Sequence, residues 1–340
     1  MAQRFRRLAR ECGRIAFLAG ILAGCTANSS VAPAENARSG AAPAASIRSS
    51  QLLSEGFGKA SSRHGRSSGW IAPDVKGLRS LIYWGDYNTS TITIYLARKS
   101  NPAERGEITS GLSSPERLFV DKALNVYASN LGNNTITAYK RRTTTPSLTI
   151  SDGVNTPAGL TVDAAGTVYS GNLGNDTVTV YPKGKTSPSL TIPVPGPPEY
   201  LAVDRADNLY VSYLGGSRGT GVMEFPPGST TGTDLGLDMD GGGALAVDRS
   251  GNVIILAGYG SIIEIFPAGQ TEPSKLISLS GNTAFGLSLN KKETKLYATV
   301  DVYGAFVVKE VAYPKGTVST SQLPINAGNW PIAVSADAVL

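Results

Sequence analysis

An apolar-x-apolar-Asp phrase, usually introduced by Pro, recurs along the chain as PERLFVD, PAGLTVD, PEYLAVD, GGALAVD, AFGLSLN and WPIAVSAD. Its polar anchors are Asp121, Asp163, Asp204, Asp248, Asn290 and Asp337, spaced by 42, 41, 44, 42 and 47 residues. A period this regular means that one structural unit is built over and over. In each unit a short strand ends at the anchor and a turn such as KALN or RSGN follows. An alternating strand comes next (VYASN, VYSGN, LYVSY, VIILA, LYATV), then a polar loop such as LGNN. A third strand (TITAY, TVTVY, GVMEF, IIEIF, AFVVK) and a short last one (SLTI, KLISL) complete it. Period-2 alternation with Asn/Gly punctuation predicts antiparallel hairpins.

Four short strands per 42 residues predict an all-β fold, a β-propeller of four-stranded antiparallel blades. Strands two to four occur six times, starting near Leu81, Asn125, Thr167, Asn208, Asn252 and Lys295. The last phrase, NWPIAVSAD, is a first strand with no successor, whereas LIYWGDYNTSTITIYLA at 81–97 is a hairpin near the start. Six blades follow if the C-terminal strand pairs with that hairpin, which also removes exposed sheet edges. The segment SGWIAPD at 68–74 is a competing source of that first strand.

The stretch GLTVDAAGTVYSGNLGNDTVTVYPKG, at residues 159–184, resembles an NHL-type repeat, and the resemblance runs over roughly residues 69–340, clearest in 115–215. It implies a propeller and is poor in functional implication. Within that group the chain looks most like bacterial lipoproteins that carry a propeller behind a lipobox.

The N-terminal residues carry that last resemblance. Arg4, Arg6, Arg7, Arg10 and Arg14 precede an apolar run from Ile15 to Ala23. Such a run falls short of the roughly 20 residues a permanent span needs and suits an export signal. It ends in Leu22-Ala23-Gly24-Cys25, which resembles a lipobox and implies cleavage before Cys25 and lipid attachment to it; the alternative is an ordinary signal peptide with a chance Cys. The expected domains are a signal peptide at 1–24, a lipidated Cys with a flexible tether at 25–66, and the propeller at 67–340. The tether is rich in Ala, Ser and Gly with no apolar period, and as a random coil of about 40 residues it spans on the order of 35 Å. A bacterial envelope location follows. Thr26, after the Cys, is no Asp-type retention signal, which favours the outer membrane or cell surface.

Charge and cysteine content narrow the function. The net charge of +5 is uneven: residues 1–24 hold five Arg against one Glu, while from residue 67 onward 21 basic face 23 acidic side chains. A near-neutral body offers no footprint for nucleic acid. Cys12 leaves with the leader, so the mature chain has neither a disulfide nor a CxxC site. The single His, His64, lies in the tether, so no His-based mechanism can be built on the propeller. GGSRG lacks a following Lys-Ser/Thr and helix, and the GxS sequences lack a nucleophile elbow.

Gluconolactonase-like propellers hold a divalent cation with Glu, Asn and Asp two residues before the apolar residue of their first strands. The matching positions here are Glu116, Ala158, Glu199, Gly243, Phe285 and Ile332. Only two are carboxylates, and a hard cation such as Ca²⁺ wants six or more oxygens. No cofactor is expected on this pattern, with Ca²⁺ the one to test. Glu116 and Glu199 follow Pro in equivalent sites two blades apart and share one pore. Each either pairs with an Arg (Arg117 adjoins Glu116) or faces water; alternatively the two form a cation site or a polar clamp for a ligand. Further candidates end the second strands: Asp86, Asn130, Asn172, Tyr213, Tyr259 and Asp301. The Asp86, Asn130 and Asn172 side chains suit Asx turns, and the Gly-flanked Tyr213 and Tyr259 suit ligand contact. The expected role is a monomeric binding scaffold for a protein, peptide or glycan; the alternative is a divergent metal-dependent lactonase.

Overall fold

A computed structural model of the chain describes residues 69–72, 81–96, 104–215, 220–237, 243–257, 261–290, 292–302, 305–321 and 331–336. The segments expected to be a signal peptide and a tether, with Cys25 and His64, and also Tyr259 and Asp337, lie outside the described residues.

The strands form six antiparallel sheets, the blades of an all-β propeller. The second blade is Pro115–Val120, Val126–Asn130, Thr135–Tyr139 and Leu148–Ile150. The third repeats it with Pro157–Val162, Val168–Asn172, Thr177–Tyr181 and Leu190–Pro193. The fourth begins at Pro198–Val203 and ends in a two-residue strand, Thr233–Asp234; the fifth runs from Gly243–Val247 to Lys275–Ser278 and the sixth from Thr283–Leu289 to Thr317–Ser321. The first blade contains Leu81–Asp86, Thr91–Leu96 and Glu104–Ile108, and Pro331–Ala336 pairs antiparallel with Leu81–Asp86 as its innermost strand. Each inner strand packs against the inner strands of the blades on both sides.

Trp70–Ile71 is a fifth strand of the first blade, added outside Glu104–Ile108. Trp70–Ile71 is therefore an outer strand and does not compete for the inner position. Two glycines make room for it. A Cβ on Gly69 would come within 2.5 Å of the Glu107 carbonyl oxygen, and one on Gly106 within 2.8 Å of the Trp70 carbonyl oxygen.

Alternation puts one set of side chains on each face of a blade, so the cores lie between blades. One cluster joins Tyr127, Ile136 and Ile150 of the second blade to Leu160, Val168 and Tyr181 of the third. Another joins Val178 and Val180 of the third to Leu201, Val211 and Phe225 of the fourth. Equivalent clusters join the first blade to the second, the fourth to the fifth and the fifth to the sixth.

The repeated Asp is a turn former. Asp163 Oδ1 accepts the N–H groups of Ala165, Gly166 and Thr167, each at 2.8 Å. Asp121, Asp204 and Asp248 do the same kind of work, and their Oδ2 atoms also accept from the Asn four residues on. The fourth residue of each turn has positive φ: Leu124, Gly166, Asp207, Gly251 and Glu293. A left-handed residue there lets the hairpin close with the strands' natural twist.

Candidate functional site

The inner strands share a local irregularity. In the second blade Pro115 pairs with Asn130 and Arg117 with Ser129, so Glu116 is an extra residue; in the fourth, Pro198 pairs with Tyr213 and Tyr200 with Ser212, leaving Glu199 extra. Phe285 in the sixth blade and Ile332 in the first hold the same place. Ala158 lies in the same break of the third blade, where Pro157 pairs with Asn172 and Leu160 with Ser170, so five of the six positions matched to cation ligands are β-bulge residues. A bulge breaks the ladder and re-aims the neighbouring side chains. The Arg117 N–H accordingly turns to the buried Ser129 Oγ at 3.0 Å.

Three alternate blades meet at these bulges. Arg117 Nη1 donates to Glu116 Oε1 at 2.9 Å and to the Glu116 carbonyl oxygen at 2.8 Å. Its guanidinium lies over the Tyr200 ring, 4.1 Å from the centroid. The Tyr200 hydroxyl donates to the Phe285 carbonyl oxygen at 2.9 Å, tying the fourth blade to the sixth. Burial pushes that phenol up to about 12, so it stays a donor across the ordinary pH range.

Glu199 is 7 % exposed, and among the described residues nothing donates a hydrogen bond to it. Burial pushes its carboxyl up to about 7; Arg117 pulls the other way and Glu116 pushes it further up. The two glutamates occupy equivalent bulges and behave differently. Glu116 is held by direct contact with Arg117, whereas Glu199 feels the guanidinium without bonding to it, and burial dominates its carboxyl. Arg117 Nε is buried and has no acceptor among the described residues.

This donor set does not fit a resident hard cation. The guanidinium already holds one of the two carboxylates and acts electrostatically on the other. The remaining matched positions, Ala158, Gly243, Phe285 and Ile332, have no side-chain oxygen. Among the described residues no group of three or more His, Cys, Asp or Glu is placed to hold a metal.

The second-strand candidates stand apart from this cluster, each within its own blade. Asn130 and Asn172 are wholly buried clamps. Asn130 Oδ1 accepts the Ser113 N–H, and its Nδ2 donates to Thr135 and Thr137 Oγ1; Asn172 repeats the pattern with Asn155, Thr177 and Thr179. Asp86 forms the expected Asx turn, its Oδ1 accepting from Asn88 and Thr89, while its buried Oδ2 has no partner among the described residues. Tyr213 is a core residue and no loop contact. The Leu209–Leu214 strand continues through it, its ring covers Gly221, it is 3 % exposed, and its hydroxyl donates to Asp234 Oδ2 at 3.1 Å. Asp301 lies in the Lys295–Val302 strand, and its carbonyl oxygen accepts the Asn282 N–H at 2.8 Å. Tyr259 lies outside the described residues.

Sequence reasoning passed over Tyr200 and treated Arg117 only as a neighbour. The available signal was register: PER and PEY place Arg117 and Tyr200 one residue after equivalent glutamates.

No family model and no curated protein matches the chain. Solved structures do. A chain of the nidogen/laminin complex is 15 % identical with a TM-score of 0.59, covering 76 % of this chain and 98 % of that one. A protein of unknown function from Bacteroides caccae gives 12 % and 0.58 over the same shares. Virginiamycin B lyase from Staphylococcus aureus, as a catalytically inactive His-to-Ala variant with quinupristin, gives 8 % and 0.51 over 77 % of this chain and 90 % of the lyase. At these identities the likeness is one of fold, a six-bladed propeller related in structure to those of nidogen and the lyase.

Proposed function

We propose that this chain is a lipid-anchored, exported binding module of the NHL-like propeller type, holding a protein, peptide or glycan on its loop face and turning nothing over. The observation that carries this reading is Arg117. Its guanidinium holds Glu116 and lies within electrostatic reach of Glu199, and those are the two carboxylates that a lactonase-like metal would need. A cation entering there meets a buried positive charge fixed by two hydrogen bonds and a ring. The lyase of similar fold is described as inactive when a histidine is replaced, and this chain's one histidine, His64, precedes the propeller. The nidogen/laminin likeness supports a propeller acting through its surface.

The deciding measurement is a thermal melt of the purified protein with Ca²⁺, with EDTA, and as Glu116→Gln/Glu199→Gln. No Ca²⁺-dependent change is expected. A rise in Tm with Ca²⁺ that the double variant loses would replace the binding reading with a metal-dependent one. Anchoring has its own test: Cys25→Ala moves the protein from the membrane fraction to the soluble one.

A further inference from the structure

From Arg117 and Tyr200 a channel of about 370 Å³ runs to the anchor turns at Asp121, Asp163 and Asn290. Four residues of inner strand separate its two ends, so it is about 13 Å deep. Its volume equals that of about a dozen liquid waters and sits at the small end of the range for ligand pockets. Its half-buried wall residues include Phe119, Val120, Val203, Val247, Leu287 and Leu289. At the inner end stand Arg117 and Tyr200; among the described residues the lining includes neither Glu116 nor Glu199.

We propose that this channel is a binding site for an uncharged apolar molecule carrying one hydrogen-bond acceptor, its body between the inner strands and its acceptor against the Arg117 guanidinium. Size and apolar walls set the body. The head follows from charge. An ammonium group would end against the Arg117 cation at the inner end. A carboxylate would pass Asp121 and Asp163 at the mouth, beside Lys122 and a Glu293 already paired with Arg249, and arrive at a guanidinium already compensated by Glu116. A carbonyl escapes both penalties. Arg117 is held in place by Glu116 and by the Tyr200 ring. This site faces the opposite way from the loop face and does not depend on the binding role given to that face.

The test uses the purified full chain and three seven-carbon probes of one length: heptan-2-one, heptanoate and heptylamine, compared by ligand-observed NMR at pH 7.5. The ketone should bind about tenfold more tightly than either charged probe, the discrimination expected of one charge-assisted hydrogen bond in a dry site. Ser288→Phe, which fills the channel away from Arg117, should abolish ketone binding while leaving the melting curve in place. Equal binding of the three probes, ketone binding that survives Ser288→Phe, or no ketone binding up to its solubility would each overturn the proposal; the last means that water alone serves Arg117. The comparison among probes needs no variant and stands even if Ser288→Phe fails to fold.

Discussion

The first blade and the two after it place different atoms in the same pocket. Asn130 and Asn172 pair across their hairpins with Thr135 and Thr177, and Asp86 pairs likewise with Thr91. The amides use both ends: the oxygen accepts a loop N–H and the nitrogen donates to two threonine hydroxyls. The carboxylate has no N–H to give, so Asp86 Oδ2 is stranded, and burial pushes the Asp86 carboxyl above its ordinary range. The same contrast of a served and an unserved group recurs at the pore, between Glu116 and Glu199. A repeat can hold its backbone constant while one substituted atom turns a clamp into a titratable defect.

The comparison is broken most severely by removing a clamp. Asn130→Ala leaves the Ser113 N–H and the buried Thr137 hydroxyl without their partner and should cost about 4 kcal/mol, read from urea unfolding. Asn172→Ala should match it, because the two loops are copies; a large inequality would mean that the blades are not equivalent.

Glu199 sharpens the pore half of the contrast. Its folded value of about 7 lies above the ordinary 4.5, so its contribution is fully present below pH 4.5 and is lost as pH rises through 7. Stability should fall between pH 5 and 8 by as much as about 3 kcal/mol. Glu199→Gln should flatten that slope, while Glu116→Gln, which removes a charge that pushes the Glu199 carboxyl up, should only reduce it. Equal slopes in the wild type and Glu199→Gln would show that Glu199 is ionised throughout.

Asp86→Asn converts the defect into a clamp. Asp86 also has a raised folded value, so its stabilisation is present at low pH and lost on ionisation. The variant should gain about 1 kcal/mol at pH 7.5 and less at pH 4, measured as paired melts. A loss at pH 7.5 would mean that the Oδ1 bonds to Asn88 and Thr89 need the full negative charge.

The smallest effect belongs to the anchor turns. Leu124 occupies, at φ 66°, the place that Gly166 and Gly251 fill elsewhere. Leu124→Gly should stabilise by just under about 1 kcal/mol. A destabilised variant would show that the Leu124 side chain, which lines the channel mouth, does more than tolerate its strain.

The blades were legible because alternation, turn chemistry and a fixed period all act within about ten residues of one another. The Asp anchors are the clearest case, since Asp163 bonds only to residues up to six positions away. The cluster was half legible. Glu116 and Glu199 stand out as carboxylates in equivalent strands, but nothing local announces that Arg117 will stack on Tyr200 from a blade 83 residues later. Tyr213 misled for the opposite reason. Its flanking glycines read as a loop, while the strand runs on and Gly221 is the partner that lets the ring lie flat.

The pairing of Pro331–Ala336 with Leu81–Asp86 has a consequence for timing. A chain made from its N-terminal end completes Leu81–Leu96 more than 200 residues before the inner strand of that blade exists. At ordinary synthesis rates the delay is on the order of 10–50 s. Throughout it, one edge of a wholly buried-type strand is an open template for any passing copy. The ring therefore cannot be assembled blade by blade behind a growing chain. Its first blade is the last to be finished, and whatever keeps nascent copies apart must work until the final strand emerges.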